Sequence, residues 1–230
     1  MTLHIGIVGC SAEGAALCYR TICEEGAHAL GPYAHPEVSM HTPSLARYVA
    51  CLDGGDLAGV AGLMLASAHK LAAAGADFLI CPDNTIHQAF DLVAPRSPLP
   101  WLHIADVVAA EAAARGYHSV GLTGTRWLVD SAVYPDMLAA RGIACVRPGE
   151  EARSDINRII MEELVPGVIR PKSVLRFQAV IGGLREQGCD AVILGCTEIP
   201  LIIGDANSPL PTLDSTRLLA RAALRKALAA

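Results

Sequence analysis

Cysteine, aspartate and threonine side chains recur in this chain at one kind of place, just after a short apolar run. The stretch GCDAVILGCTEIPLII at 188–203 is the clearest case. Ala191, Val192, Ile193 and Leu194 read as a strand buried on both faces. It ends at Gly195, Cys196, Thr197 and Glu198. A cysteine at the carboxyl end of such a strand stands where open α/β sheets bind ligands. An apolar helical stretch reads on from there, and the positive end of its dipole would favour the thiolate, the reactive form. The plain alternative is a small buried core cysteine.

The same pattern occurs earlier, as GADFLICPDNTI at 75–86. At a constant offset of 113 positions Gly75 meets Gly188, Asp77 meets Asp190, Ile80 meets Ile193, Ile86 meets Ile199, and Leu71 meets Leu184. Two copies of helix, glycine, strand, polar turn and helix imply two similar half-molecules. In that register Cys196 is matched by Asp83, whereas Cys81 is matched by Leu194, so Cys81 reads as a packing residue.

Four strand ends therefore deliver polar groups, at 9–13, 83–85, 123–126 and 196–198. If the halves face each other, Asp83 and Cys196 flank one pocket. Two such groups on opposite faces of a carbon suit a two-base reaction, one taking a proton while the other delivers one. Ser11, Asn84, Thr85, Thr125 and Thr197, with nearby backbone N–H groups, would hold a substrate carboxylate and the charge that builds on it. The arrangement calls for no metal and no organic cofactor. Each residue also has an ordinary reading: Asp83, Asn84, Thr123 and Thr125 as turn or cap residues, and His41, His87 and His103 as satisfied polar side chains.

The elements that must position these groups alternate strand and helix throughout, which predicts mainly parallel sheets in an α/β fold. Strands are expected at 3–8, 36–40, 78–81, 101–104, 119–123, 144–146, 191–194 and 209–213. Helices are expected at 15–30, 45–52, 57–74, 86–93, 107–115, 131–140, 155–164, 173–187 and 216–229. Asp106 reads as the N-cap of the helix at 107–115. Gly6, Gly9 and Gly14 have the wrong spacing for a dinucleotide fingerprint, and no G-x-S-x-G elbow is present.

A chain of 230 residues that is 52% hydrophobic has ample material for one large or two small cores. Its net charge of −5, without a basic cluster, argues against nucleic acid and anionic membranes as partners. No apolar run approaches the roughly 18–20 residues of a membrane span, and residues 3–8 read as a strand rather than part of a leader. Eight cysteines without a CxxC pair suit a reduced, cytoplasmic chain rather than a zinc or disulfide framework.

Taken together, GIVGCS at 6–11, GADFLICPDNTIH at 75–87, LHIADV at 102–107, GLTGTR at 121–126, INRIIMEEL at 156–164 and DAVILGCTEIPLI at 190–202 resemble the aspartate/glutamate racemase superfamily. The resemblance spans nearly the whole chain and is closest to the amino-acid racemase branch. It implies two Rossmann-like domains related by a pseudo-twofold axis, with the active site between them, no cofactor, a small carboxylate substrate and a homodimer. It also implies that the final segment returns to the first domain, giving residues 1–103 with 211–230, and 104–210.

One departure stands out. Members usually carry a cysteine just before the Asn-Thr, paired with the one in GCTE; this chain has Asp83 there. Some relatives carry threonine at this place and still racemise. Asp83 would act as a base, and a desolvating pocket would raise its pKa toward the working range. The Asp–Cys pair is not symmetric, so the two directions would differ in rate. The same pair also fits decarboxylation of a malonate, isomerisation of an unsaturated diacid, or a ligand-binding relative without turnover. The loop at 42–47 lacks a clear match to the acidic-substrate arrangement, leaving Arg47 and Arg126 as candidates for a side-chain carboxylate and aspartate or glutamate as the favoured substrate.

Overall fold

The computed structural model describes residues 2–229. The chain divides into two compact units, Met1–Val107 with Thr216–Ala230, and Val108–Ser215. The first unit has strands β1 (Ile5–Val8), β2 (Val38–His41), β3 (Phe78–Ile80) and β4 (Trp101–Leu102); the second has β5 (Ser119–Thr123), β6 (Ala144–Val146), β7 (Ala191–Leu194) and β8 (Thr212–Asp214). Each set forms a four-stranded, wholly parallel sheet, in the orders β2-β1-β3-β4 and β6-β5-β7-β8. The fold is α/β, built twice with one topology.

The helices are α1 (Ala12–Leu30), α2 (Leu45–Asp53), α3 (Leu57–Ala73), α4 (Phe90–Val93), α5 (Ile104–Ala114), α6 (Arg126–Val129), α7 (Val133–Ala139), α8 (Glu150–Ile159), α9 (Pro171–Glu186) and α10 (Ser215–Leu228). Because helices cover both faces of a parallel sheet, the inner strands β1, β3 and β7 are buried along their whole length. Ile5, Ile7, Phe78 and Ile80 pack with Cys18 and Ile22 of α1 and with Leu219, Ala220, Ala223 and Ala227 of α10. Val8 and Leu79 face the other way, into Tyr48, Val60, Met64 and Leu71 of α2 and α3. In the second unit Val192 and Leu194 pack on Ile156 and Ile159 of α8 and on Phe177, Ile181 and Leu184 of α9. Among the described residues no helix is long and apolar enough to cross a membrane.

The internal repeat extends to individual hydrogen bonds. Gly75 and Gly188 follow α3 and α9 with φ of +90° and +86°, a conformation that glycine adopts without steric cost. The next residues close the helix ends alike: Ala76 N–H donates to Leu71 O (3.1 Å) and Cys189 N–H to Leu184 O (3.2 Å). The shared aspartates then brace the neighbouring strand. Asp77 accepts from His4 N–H at 2.7 Å, and Asp190 accepts from His118 N–H at 2.7 Å and Ser119 N–H at 3.0 Å. Those two backbone donors hold the Asp190 carboxyl below the usual range.

Several boundaries differ from the sequence reading for local reasons. Helix α1 starts at Ala12, three residues early, because Ser11 is its N-cap and accepts from Gly14 N–H at 3.1 Å. Helix α5 starts at Ile104. Its cap is the His103 ring, whose Nδ1 accepts from Asp106 N–H at 3.3 Å, so Asp106 lies inside the first turn. The helix expected at 86–93 is a 3-10 segment, Thr85–Ala89, followed by α4. The stretch after Cys196 folds only as a 3-10 turn, Ile199–Leu201, with Pro200 inside it.

Candidate active site

In the first unit, β1 and β3 are adjacent and in register, with Ile7 opposite Ile80. Their carboxyl ends bring Ser11 to the same edge of the sheet as Asp83, Asn84 and Thr85. Asn84 and Thr85 are buried. The Asp83 carboxylate accepts the Ile86 N–H through Oδ1 at 3.0 Å, and its backbone carbonyl accepts from His87 Nδ1 at 2.6 Å. The turn is therefore closed twice. Oδ1 is thereby fixed as an acceptor, while nothing in this bond occupies Oδ2.

In the second unit, Thr123 of β5 lies opposite Leu194 of β7, and Gly195 N–H donates to Thr123 O at 2.8 Å. The turns carrying Thr125 and Cys196 thus share one sheet edge. A Cβ on Gly195 would stand 2.6 Å from both Thr123 O and Leu128 Cδ2, so only glycine lets the chain pass. Thr125 caps α6 and accepts from Leu128 N–H at 3.4 Å. Thr123 is committed to the fold, donating to Ile193 O at 2.8 Å.

Cys196 has a partner that sequence reasoning left without a role. Its thiol donates to Glu198 Oε2 at 2.9 Å, and the Thr197 hydroxyl donates to the same oxygen at 2.9 Å. Glu198 is only 3% exposed. This corrects the expected helix dipole: one 3-10 turn cannot supply it, and the group beside the sulfur is a carboxylate acceptor. The signal was present as an acidic residue two positions after the cysteine, inside the quoted motif.

The register of the repeat holds here too. Asp83 Oδ1 meets Ile86 N–H, and Cys196 O meets Ile199 N–H at 3.1 Å, so each residue opens a turn closed three positions later. Cys81 is fully buried in the first core, and burial pushes its thiol well above the ordinary value. It packs, as its match with Leu194 implied. Cys81→Ala should therefore lower stability by about 1–2 kcal/mol in denaturant unfolding while turnover stays within about twofold. Loss of turnover in a well-folded Cys81→Ala protein would overturn the register.

The three histidines differ. His41 ends β2, its Nδ1 2.9 Å from Ser67 Oγ and its Nε2 2.9 Å from Lys70 Nζ. Desolvation, then the Lys70 charge, lowers its pKa. His87 and His103 meet edge to face at 4.6 Å between ring centres, with Phe90 against both. Burial, reinforced by His103, pushes His87 down to about 3. Burial also pushes His103 down to about 4, against the pull of Asp106 and Asp91. Both folded values lie below the ordinary 6.5, so the unfolded chain binds protons that the native chain does not. The associated stability is complete above pH 6.5 and is lost as pH falls toward 4 and then 3, at about 1.4 kcal/mol per unit per histidine. A thermal midpoint that does not move between about pH 7 and pH 4.5 would contradict this buried neutral pair.

The two arginine candidates have different surroundings. Arg47 lies exposed on α2. The Arg126 guanidinium lies 5.0 Å from the Trp127 ring centre, and its residue lines a cleft of about 330 Å³ with Asp130, Glu150, Arg153, Ser154 and Asn157. Two arginines there face two acids, and Arg153 is paired with Asp130 at 2.5 Å.

Comparison with known proteins agrees with this double α/β architecture. The profile of the family described as Asp/Glu/Hydantoin racemase matches residues 6–223. A candidate Asp/Glu racemase from Yersinia pestis superposes with a TM-score of 0.90 at 32% identity, over 98% of this chain and 99% of that one. PH1733, an aspartate racemase homologue from Pyrococcus horikoshii OT3, gives a TM-score of 0.84 at 29% identity, over 99% and 100%. The broad specificity amino-acid racemase RacX of Bacillus subtilis (strain 168) is 27% identical over 165 residues, 70% of each chain. With one fold built twice, acid–base groups at the strand ends and a family match across almost its whole length, the chain belongs to the Asp/Glu/hydantoin racemases and is an isomerase of the racemase type.

Proposed function

We propose that the protein inverts the α-carbon of an amino acid, aspartate or glutamate foremost, by proton transfer between Asp83 and Cys196. The observation that carries this reading is the contrast between the two turns. Asp83 is held as an acceptor by Ile86 N–H, whereas Cys196 carries a proton that it donates to Glu198. A two-base reaction needs this pairing, one group bare and one protonated. Asp83 takes the α-proton, and the electron pair of the broken C–H bond spreads onto the α-carboxylate. The Cys196 S–H bond then breaks and its proton goes to the opposite face of the carbon.

For the reverse direction the thiol first passes its proton to Glu198 and Asp83 takes one from solvent. The thiolate then removes the α-proton while the Asp83 carboxyl delivers its own to the opposite face. Ser11, Asn84, Thr85 and Thr125 supply hydroxyl and amide groups for the substrate carboxylate, where donors aimed at developing charge count most, and Thr197 joins them only by turning its hydroxyl away from Glu198. The unlike pair implies unequal turnover numbers for the L and D substrates. Assembly as a homodimer goes with this reading and is measured by light scattering.

The test is proton NMR in deuterium oxide, with L- and D-aspartate and L- and D-glutamate incubated separately. Loss of the α-proton signal with formation of the opposite enantiomer supports the reading. No exchange with any of the four removes acidic amino acids as substrates and turns attention to other amino acids and to small diacids.

A further inference from the structure

His87 is held from both sides of its ring by backbone groups of fixed polarity. Nδ1 lies 2.6 Å from Asp83 O, which can only accept, so Nδ1 carries a hydrogen. Nε2 lies 3.4 Å from Ile104 N–H, which can only donate, so Nε2 is bare. The two contacts select the neutral Nδ1–H tautomer. The ring is 3% exposed, lies nearly parallel to Phe90 at 15°, and is crossed by His103. Ile104 is the first residue of α5, and its N–H is among those a helix start leaves without an intrahelical acceptor. One imidazole thus ties the Asp83 turn to the buried start of α5.

We propose that His87 is a positioning residue that acts through Asp83: its Nδ1–H fixes the Asp83 carbonyl and so sets where the carboxylate stands and which hydrogen bond it keeps. The proposal rests on the reading of Asp83 as a base, and deepens it. Without the Nδ1–H bond the turn loses one of its closures, the bond from Ile86 N–H to Asp83 Oδ1 lengthens, the carboxylate loses stabilisation, and its reach toward a substrate carbon changes. His87 itself never touches the reacting atoms.

Two substitutions separate the ring's two contacts. In His87→Asn the side-chain amide sits where Nδ1 was and restores the donor to Asp83 O. In His87→Gln the amide sits where Nε2 was and serves Ile104 N–H instead. Asp83 is followed by the pH titration of its carboxyl carbon-13 signal, alongside thermal unfolding and the deuterium exchange assay. The expected result is that the Asp83 titration rises by about one unit in His87→Gln and stays near wild type in His87→Asn. Inversion should fall about tenfold or more in His87→Gln, through kcat rather than KM, and recover in His87→Asn.

Equal Asp83 titrations in all three proteins would overturn the proposal. So would a rate loss in both variants that only follows their thermal midpoints. Nitrogen-15 spectra of the wild type give a check independent of any variant's folding: an Nε2–H tautomer of His87 near neutral pH also overturns it. If the wild type exchanges none of the four amino acids, the racemase reading fails on its own, and the titration and tautomer data still decide the role of His87.

Discussion

Cys196→Ser should lose inversion by about 10³-fold or more in both directions while the protein stays folded. The site argues for both halves of this expectation. A serine hydroxyl is slightly smaller than the thiol and can still donate to Glu198 Oε2, so the buried acceptor keeps its partner and the thermal midpoint should move by only a few degrees. A hydroxyl is nevertheless a far poorer acid and base than a thiol near neutral pH, and proton transfer at this face would fail. Glu198→Gln gives the companion result. Its amide oxygen can still accept from the thiol but cannot store the proton, so the direction that begins with a thiolate should fall by about 10²-fold, more than the other. Full activity in Cys196→Ser would remove Cys196 from the mechanism.

How much of this was legible in the sequence depends on how local each cause is. The repeat was, because Gly75 and Gly188 have a conformation that selects glycine and Asp77 and Asp190 make the same strand-bracing bonds. The parallel sheets were, because uninterrupted apolar runs such as 191–194 need cover on both faces. Helix starts were less so: Ser11 and His103 each act as caps through a side chain whose orientation is set by the fold. The stretch after Cys196 misled because an apolar sequence serves a buried turn as well as a helix, and Pro200 marks the difference. Glu198 was missed because acidity reads as solvent exposure, whereas this carboxylate is buried and satisfied by its own two neighbours in sequence. His87 reads in the sequence as an ordinary polar residue, and only contacts four and seventeen positions away show how tightly its ring is held.

Asp83→Asn tests the other half of the pair, and its outcome decides between a base and a cap. Both functions meet in one side chain, since Oδ1 accepts from Ile86 N–H at 3.0 Å. Asparagine keeps that acceptor and nearly the same shape, so the turn and the buried Asn84 and Thr85 beside it should persist. What it removes is the capacity to take a proton. Inversion should therefore fall by about 10²–10⁴-fold with little change in thermal midpoint. Exchange of the α-proton into deuterium should survive for only one enantiomer, the one whose hydrogen faces the thiol, and without inversion. Asp83→Cys makes the comparison sharper. It loses the Oδ1 cap, so stability should drop by about 1 kcal/mol, but it restores an ionisable group at this place in the form that the resemblance implies. Inversion should then return, with turnover numbers for the two enantiomers closer to each other than in wild type. If instead Asp83→Asn inverts normally and Asp83→Cys is merely less stable, Asp83 is a cap alone, and the proton on that face is moved by another group.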